Sequence, residues 1–339
     1  MRVGIVTPVL TRVPKSHAKW EADAGITEVA RIAAAADALG YDYLTCSEHV
    51  AIPVDVAPVR GSTYWDPAAT LGYLAAATSR IRLATHVLVL GYHHPLELAK
   101  TYGTLDRISG GRVVLGVGVG SLKEEFDLLG VPFEDRGPRG DDALRALRAS
   151  LAKREPSYAG EYYRYGGMVV DPWAVQEHMP IWIGGRTGRS LRRAVTLADG
   201  WMPFGLPEAE LQRMIASVEV PAGFEVALSP ERALDPGTGP DRVADALGHM
   251  AEIGTTVVNA RIVGHSLDHY LEQLEALAGL AGFAPQPPAK GGAKTSARDA
   301  AKGTVQGAAK GTVKGTVKGA AKKGPKKGTK KSAKKGGRR

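Results

Sequence analysis

Short apolar runs rich in β-branched residues alternate with longer stretches whose apolar positions recur every three or four residues, from the N-terminus to about residue 283. The short runs predict strands over Val3–Thr7, Tyr41–Ser47, Ile81–Leu90, Arg112–Val119, Ile181–Gly184, Gly200–Pro203, Phe224–Leu228 and Thr256–Ile262. The stretches between them predict helices over Ile26–Leu39, Pro67–Thr78, Pro95–Ile108, Leu122–Leu129, Asp141–Lys153, Arg189–Ala198, Pro207–Val218, Asp241–Ile253 and Leu267–Leu280. Several strand runs are nearly continuous Val, Ile and Leu, the pattern of a parallel sheet covered by helices. Eight strands with intervening helices predict an α/β chain of the (β/α)8 barrel type rather than an open doubly wound sheet.

One stretch breaks the rhythm. About 60 residues separate the fourth and fifth strands, and Tyr158–Val170 within them patterns as a short hairpin. Such an insertion belongs either over the C-terminal mouth of the barrel, shaping a substrate pocket, or at the periphery or a dimer contact.

Composition changes the picture at Pro285-Gln286-Pro287-Pro288, where near-repeats of Ala, Lys, Gly and Thr begin. Residues 284–339 carry 17 Lys and Arg against Asp299 alone, +16, so the net +9 of the chain leaves residues 1–283 at −7. A segment with no aromatic residue cannot bury enough apolar surface to offset its ordering entropy, and it is expected to be disordered. The chain therefore divides into a barrel, 1–283, and a basic tail, 284–339. Clustered lysines suit nucleic acid or another polyanion through counterion release; a solubilising extension is the plainer alternative.

The lone Cys46 excludes a disulfide scaffold or a cysteine-rich metal cluster. No apolar run approaches the roughly 18–20 residues that span a bilayer, and Met1–Val6 lacks a signal peptide's apolar centre. A cytoplasmic protein with no membrane contact is expected.

Barrel chemistry gathers at the C-terminal strand ends. The second strand ends in Cys46-Ser47-Glu48-His49, where His49 could exchange a proton near neutral pH and Glu48 could orient it. The third continues through Thr85, His86 and Val87 to His93-His94-Pro95; without carboxylate or cysteine at ligand spacing, these histidines do not read as a metal site. The fourth ends in Gly116-Val117-Gly118-Val119-Gly120-Ser121, whose glycines leave backbone amides open to an anion, with Ser121 and Glu124 placed for a capping box. The fifth ends in Gly184-Gly185-Arg186-Thr187-Gly188-Arg189-Ser190, a second glycine-rich turn with guanidinium and hydroxyl groups suited to phosphate.

Taken in order, these segments resemble the luciferase-like monooxygenase superfamily, in particular its branch that uses the deazaflavin coenzyme F420. The resemblance rests on Gly40-Tyr41-Asp42-Tyr43-Leu44 with Glu48-His49, on Ser79–Thr85 with His94-Pro95-Leu96, on Asp106–Arg112, on Pro180–Gly185 and on Ala198-Asp199-Gly200-Trp201. It implies a (β/α)8 barrel with an insertion and a non-proline cis peptide at His86–Val87. It implies phosphate and tail contacts from Gly118, Val119, Gly120, Gly184, Gly185 and Arg186, and a place near the cofactor ring for His49. One position departs from it: sugar-phosphate dehydrogenases of the branch carry a proton-transferring glutamate where this chain has Ser121.

The resemblance implies an oxidoreductase that moves a hydride between coenzyme F420 and a small-molecule substrate, the proton being handled by His49, Glu48, a substrate group or water. The alternatives are an FMN-dependent monooxygenase using oxygen, and a nucleic-acid-associated protein acting through its tail. A homodimer is implied as well.

Overall fold

The computed structural model describes residues 1–14 and 16–283. The tail, its predicted disorder and its possible polyanion partners lie outside the described residues. Eight parallel strands close a barrel: β1 (Arg2–Ile5), β2 (Tyr43–Cys46), β3 (Arg82–Thr85), β4 (Val113–Gly118), β5 (Ile181–Gly184), β6 (Gly200–Met202), β7 (Glu225–Leu228) and β8 (Val257–Ala260). Closure runs through Gly4↔Asn259 on one side and Ile183↔Val117 on the other. The helices outside are α1 (Ile26–Leu39), α2 (Pro67–Ala77), α3 (Pro95–Ser109), α4 (Lys123–Leu129), α5 (Arg136–Ser150), α6 (Gly188–Leu197), α7 (Glu208–Ile215), α8 (Pro240–Glu252) and α9 (Leu267–Leu280). Among the described residues, no helix is long and apolar enough to cross a membrane.

Local signals explain the helix ends. At α1 the Gly25 amide donates to Glu28 Oε2 at 2.8 Å, and the helix stops at Gly40, whose φ of +90° suits a residue without Cβ. Its buried face, Val29, Ile32, Ala33 and Ala36, has the spacing of one helical stripe against the strands. Each aliphatic side chain as fully buried as Ile32 contributes about 1.5–3 kcal/mol. α3 opens with Pro95 in its first turn, after His94 accepts from the Leu96 amide.

Inside the barrel, large side chains sit against glycines. Tyr43 and Trp182 meet edge to face at 5.2 Å. A Cβ on Gly4 would lie 2.5 Å from the Tyr43 ring, and one on Gly200 would lie 2.5 Å from Trp182. Below them a ring of alternating charge closes the N-terminal end. Arg2 bonds Asp42 at 3.3 Å and Glu225 at 2.5 Å, while Arg82 pairs with Asp42 and, at 3.3 Å, with Glu225. The Arg82 guanidinium also lies 5.1 Å from the Trp182 ring centre.

One sequence expectation is corrected here. The run Ile81–Leu90 is not one strand: after β3 the chain turns through a cis peptide at His86–Val87, the predicted position, and Leu88–Val89 then pairs with Val117–Gly118. The insertion packs against α5. Its hairpin, Tyr158–Ala159 with Arg164–Tyr165, lies along that helix. There Asp142 accepts from the Tyr158 hydroxyl at 2.5 Å and from the Tyr162 and Tyr163 amides, and His94 packs edge-on against Tyr163 at 5.5 Å. Its contacts are with α5 and with His94 at the start of α3, and the two placements left open by the sequence remain so.

Candidate active site

β2 leads directly into the site's most reactive groups. In the loop that follows it, Glu48 and His49 engage different partners. Glu48 is buried; it accepts from the Val89 amide at 2.7 Å and pairs with His93 Nε2 at 2.7 Å. Burial would lower the His93 pKa, but the bond and charge of Glu48 outweigh it and raise it above the ordinary histidine value. Glu48 is thus a support for the β3–β4 crossing and not the partner of His49, contrary to the sequence expectation that it orients that ring.

His49 is held by Glu125, in the first turn of α4. Its Nδ1 lies 2.6 Å from Glu125 Oε2. The Val50 and Ala51 amides donate to Oε1 at 2.7 and 3.2 Å, and the Tyr92 hydroxyl donates to Oε2 at 2.8 Å. Burial alone would raise the Glu125 pKa; the bonds from His49, Tyr92 and the loop amide outweigh it and hold the carboxyl below its usual range. The His49 ring meets Tyr64 edge-on at 4.4 Å, and its Nε2 has no protein partner among the described residues.

Ser121 does not cap α4. The cap position falls at Leu122, and the Ser121 hydroxyl instead accepts from both terminal nitrogens of Arg60 at 3.4 Å. Arg60 ends a single helical turn, Ala57–Arg60, and its carbonyl accepts from the Tyr64 hydroxyl. The apolar segment leading to it is exposed at Val50, Val54 and Val59.

The two glycine clusters prove to do two jobs. A Cβ on Gly118 or Gly184 would lie 3.0 or 2.7 Å from the Val87 methyl groups, and one on Gly120 would lie 2.6 Å from Phe126. These glycines therefore make room first for neighbouring side chains. Their amides are a separate matter: those of Val119, Gly120, Ser121, Gly185 and Arg186 have no protein acceptor among the described residues. The hydroxyls of Thr187 and Ser190 are used in the reciprocal cap of α6. Arg186 is exposed, 5.5 Å from the Phe204 ring centre.

His86, on the cis loop, is shielded enough that burial pushes its pKa down to about 4, and its Nε2 has no protein partner among the described residues. Thr85 is fully buried, with its hydroxyl on the Gly116 carbonyl at 2.7 Å, so it ties β3 to β4. Cys46 is buried, and burial pushes its thiol pKa up to about 12. Sequence reasoning missed Glu125, Tyr92 and Arg60. An acidic pair, Glu124-Glu125, opening the helix after a glycine-rich strand end was the available signal.

A closed parallel barrel with unpartnered backbone amides and the His49 Nε2 beyond the strand C-termini has the architecture in which barrel enzymes place their active sites. Residues 1–223 match the luciferase-like monooxygenase family, and the chain belongs to it. The uncharacterized protein Rv0953c of Mycobacterium tuberculosis is 34% identical over 274 residues, 76% of this chain and 95% of its own. Among solved structures, monooxygenase RslO1 from Streptomyces bottropensis superposes with a TM-score of 0.68 at 21% identity, over 82% of this chain and 98% of its own. The coenzyme F420-dependent tetrahydromethanopterin reductase of Methanopyrus kandleri gives 0.63 at 18%, over 84% and 99%. The oxygenating constituent of 3,6-diketocamphane monooxygenase from Pseudomonas putida, in complex with FMN, gives 0.63 at 17%, over 82% and 97%.

Proposed function

We propose that this chain is an oxidoreductase that transfers a hydride between coenzyme F420 and a small organic substrate. The observation that carries it is the meeting, at one barrel mouth, of two groups of unpartnered backbone amides with a histidine whose Nε2 is unpartnered. A phosphate-bearing redox ring suits both features, because bare amides bind phosphate oxygens and the imidazole manages a proton beside the ring. When bound, the deazaflavin supplies a ring carbon that carries the hydride.

The chain's own groups then divide the remaining work. The amides of Val119, Gly120, Ser121, Gly185 and Arg186, with the Arg186 guanidinium, hold the anionic tail. Val87 offers an apolar surface to the ring. The valine-rich segment 50–59 limits water, and His49 takes or gives the proton at Nε2. Ser121, engaged by Arg60 and lacking a carboxyl, argues against a sugar-phosphate substrate.

A second use of the same groups is FMN-dependent oxygenation, supported by the monooxygenase and FMN-bound structures that share the fold. Titration of the purified full chain with F420 and FMN, each oxidised and reduced, separates the two. Saturable F420 binding, weakened by Arg186→Ala, is expected. Tight FMN binding with no F420 affinity overturns the first assignment.

A further inference from the structure

We propose that Glu125 is the positioning residue of the site, fixing His49 in the tautomer that carries hydrogen on Nδ1 and leaves the Nε2 lone pair free for a proton. The proposal rests on the assignment of His49 to proton handling, and its test is separable from that assignment. The two residues stand 76 positions apart, joined by the 2.6 Å contact.

The argument is one of hydrogen-bond capacity. An ionised carboxylate only accepts, and Glu125 faces four donors: Val50 N, Ala51 N, the Tyr92 hydroxyl and His49 Nδ1. Two backbone amides and the Tyr92 hydroxyl converge on this carboxyl, itself only 1% exposed, and with the His49 contact they hold it below the usual carboxylate range, so it is ionised and has no hydrogen to donate. The 2.6 Å contact therefore requires the hydrogen to sit on Nδ1, and neutral His49 is left with its lone pair on Nε2. If Nε2 takes a proton, the imidazolium is already paired with a buried anion that need not move. The same carboxylate anchors Val50 and Ala51, so ring orientation and the start of the valine-rich segment depend on one side chain.

A purely structural anchor would bind the loop without caring which imidazole nitrogen bears hydrogen, and this separates the two roles. The chain has nine histidines, and the His49 signals in ¹⁵N spectra are assigned by their loss in His49→Gln. In the wild-type chain without cofactor, neutral His49 is expected in the Nδ1–H form. Glu125→Gln presents an amide donor toward the ring and is expected to shift His49 to the Nε2–H form. Its reaction with diethylpyrocarbonate should then slow by about tenfold or more, while Glu125→Asp restores most of it.

Once a substrate turns over, Glu125→Gln should lower kcat about 10²–10⁴-fold with cofactor affinity unchanged, the range associated with a misplaced catalytic imidazole. An Nε2–H tautomer in the wild type overturns the proposal even if Glu125→Gln fails to fold. So does a Glu125→Gln chain that folds with its His49 tautomer unaltered. A protein that binds neither F420 nor FMN defeats the proposed function and leaves the tautomer measurement standing.

Discussion

The two ends of the barrel treat polar groups in opposite ways. At the N-terminal end, Arg2, Asp42, Arg82 and Glu225 converge from different strands and neutralise one another, so that each carboxylate lies between two guanidiniums. At the C-terminal end the amides after β4 and β5 have no protein acceptor among the described residues, and His49 keeps one nitrogen unpartnered. The same eight strands join both ends. Stability is built where charges are matched, and chemistry is available where polar groups are left over.

Substitutions can break that contrast. The largest effect belongs to the mouth: with a substrate in hand, His49→Ala should lower turnover about 10²–10⁴-fold while the melting temperature moves little. Paired kinetics and thermal melts check this, and unchanged turnover removes His49 from the chemistry. Next comes the closed end. Arg82→Met leaves Asp42 and Glu225 sharing Arg2 alone in a partly buried site, and should cost about 2 kcal/mol by urea unfolding with no loss of cofactor affinity. A drop in affinity would mean that the two ends are coupled.

The smallest effect sharpens the glycine assignment. Gly184→Ala should destabilise by about 1–2 kcal/mol through its 2.7 Å approach to Val87, and adding Val87→Ala should recover most of that loss. Recovered stability without recovered cofactor binding would show that the Val87 surface serves the ring. Failure of the second substitution to recover stability would mean that Val87 is not the obstacle.

Much of the fold was legible because its determinants are local or periodic. The strands read as continuous Val, Ile and Leu, and α1 and α3 end at Gly40 and Gly110, both at positive φ. The insertion was not placed, because its position depends on pairings such as Asp142 with Tyr158 and His94 with Tyr163 that no periodicity encodes. At the site, adjacency misled. Glu48 neighbours His49 in sequence but pairs with His93, and the residue that grips the ring comes from α4. The glycines were legible as openings but not as openings already occupied, since Val87 and Phe126 come from other segments.

Cys46 lies behind this site with its sulfur 3.5 Å from the Trp65 carbonyl, buried and kept protonated at any ordinary pH. The molecule therefore carries a single sulfhydryl that solvent-borne alkylating reagents reach poorly. A cysteine introduced on the exposed valine segment, at Val54 for example, would be the one efficient attachment point for a fluorophore. The surroundings of that segment could then be probed in solution, with and without ligand, without first stripping the native thiol.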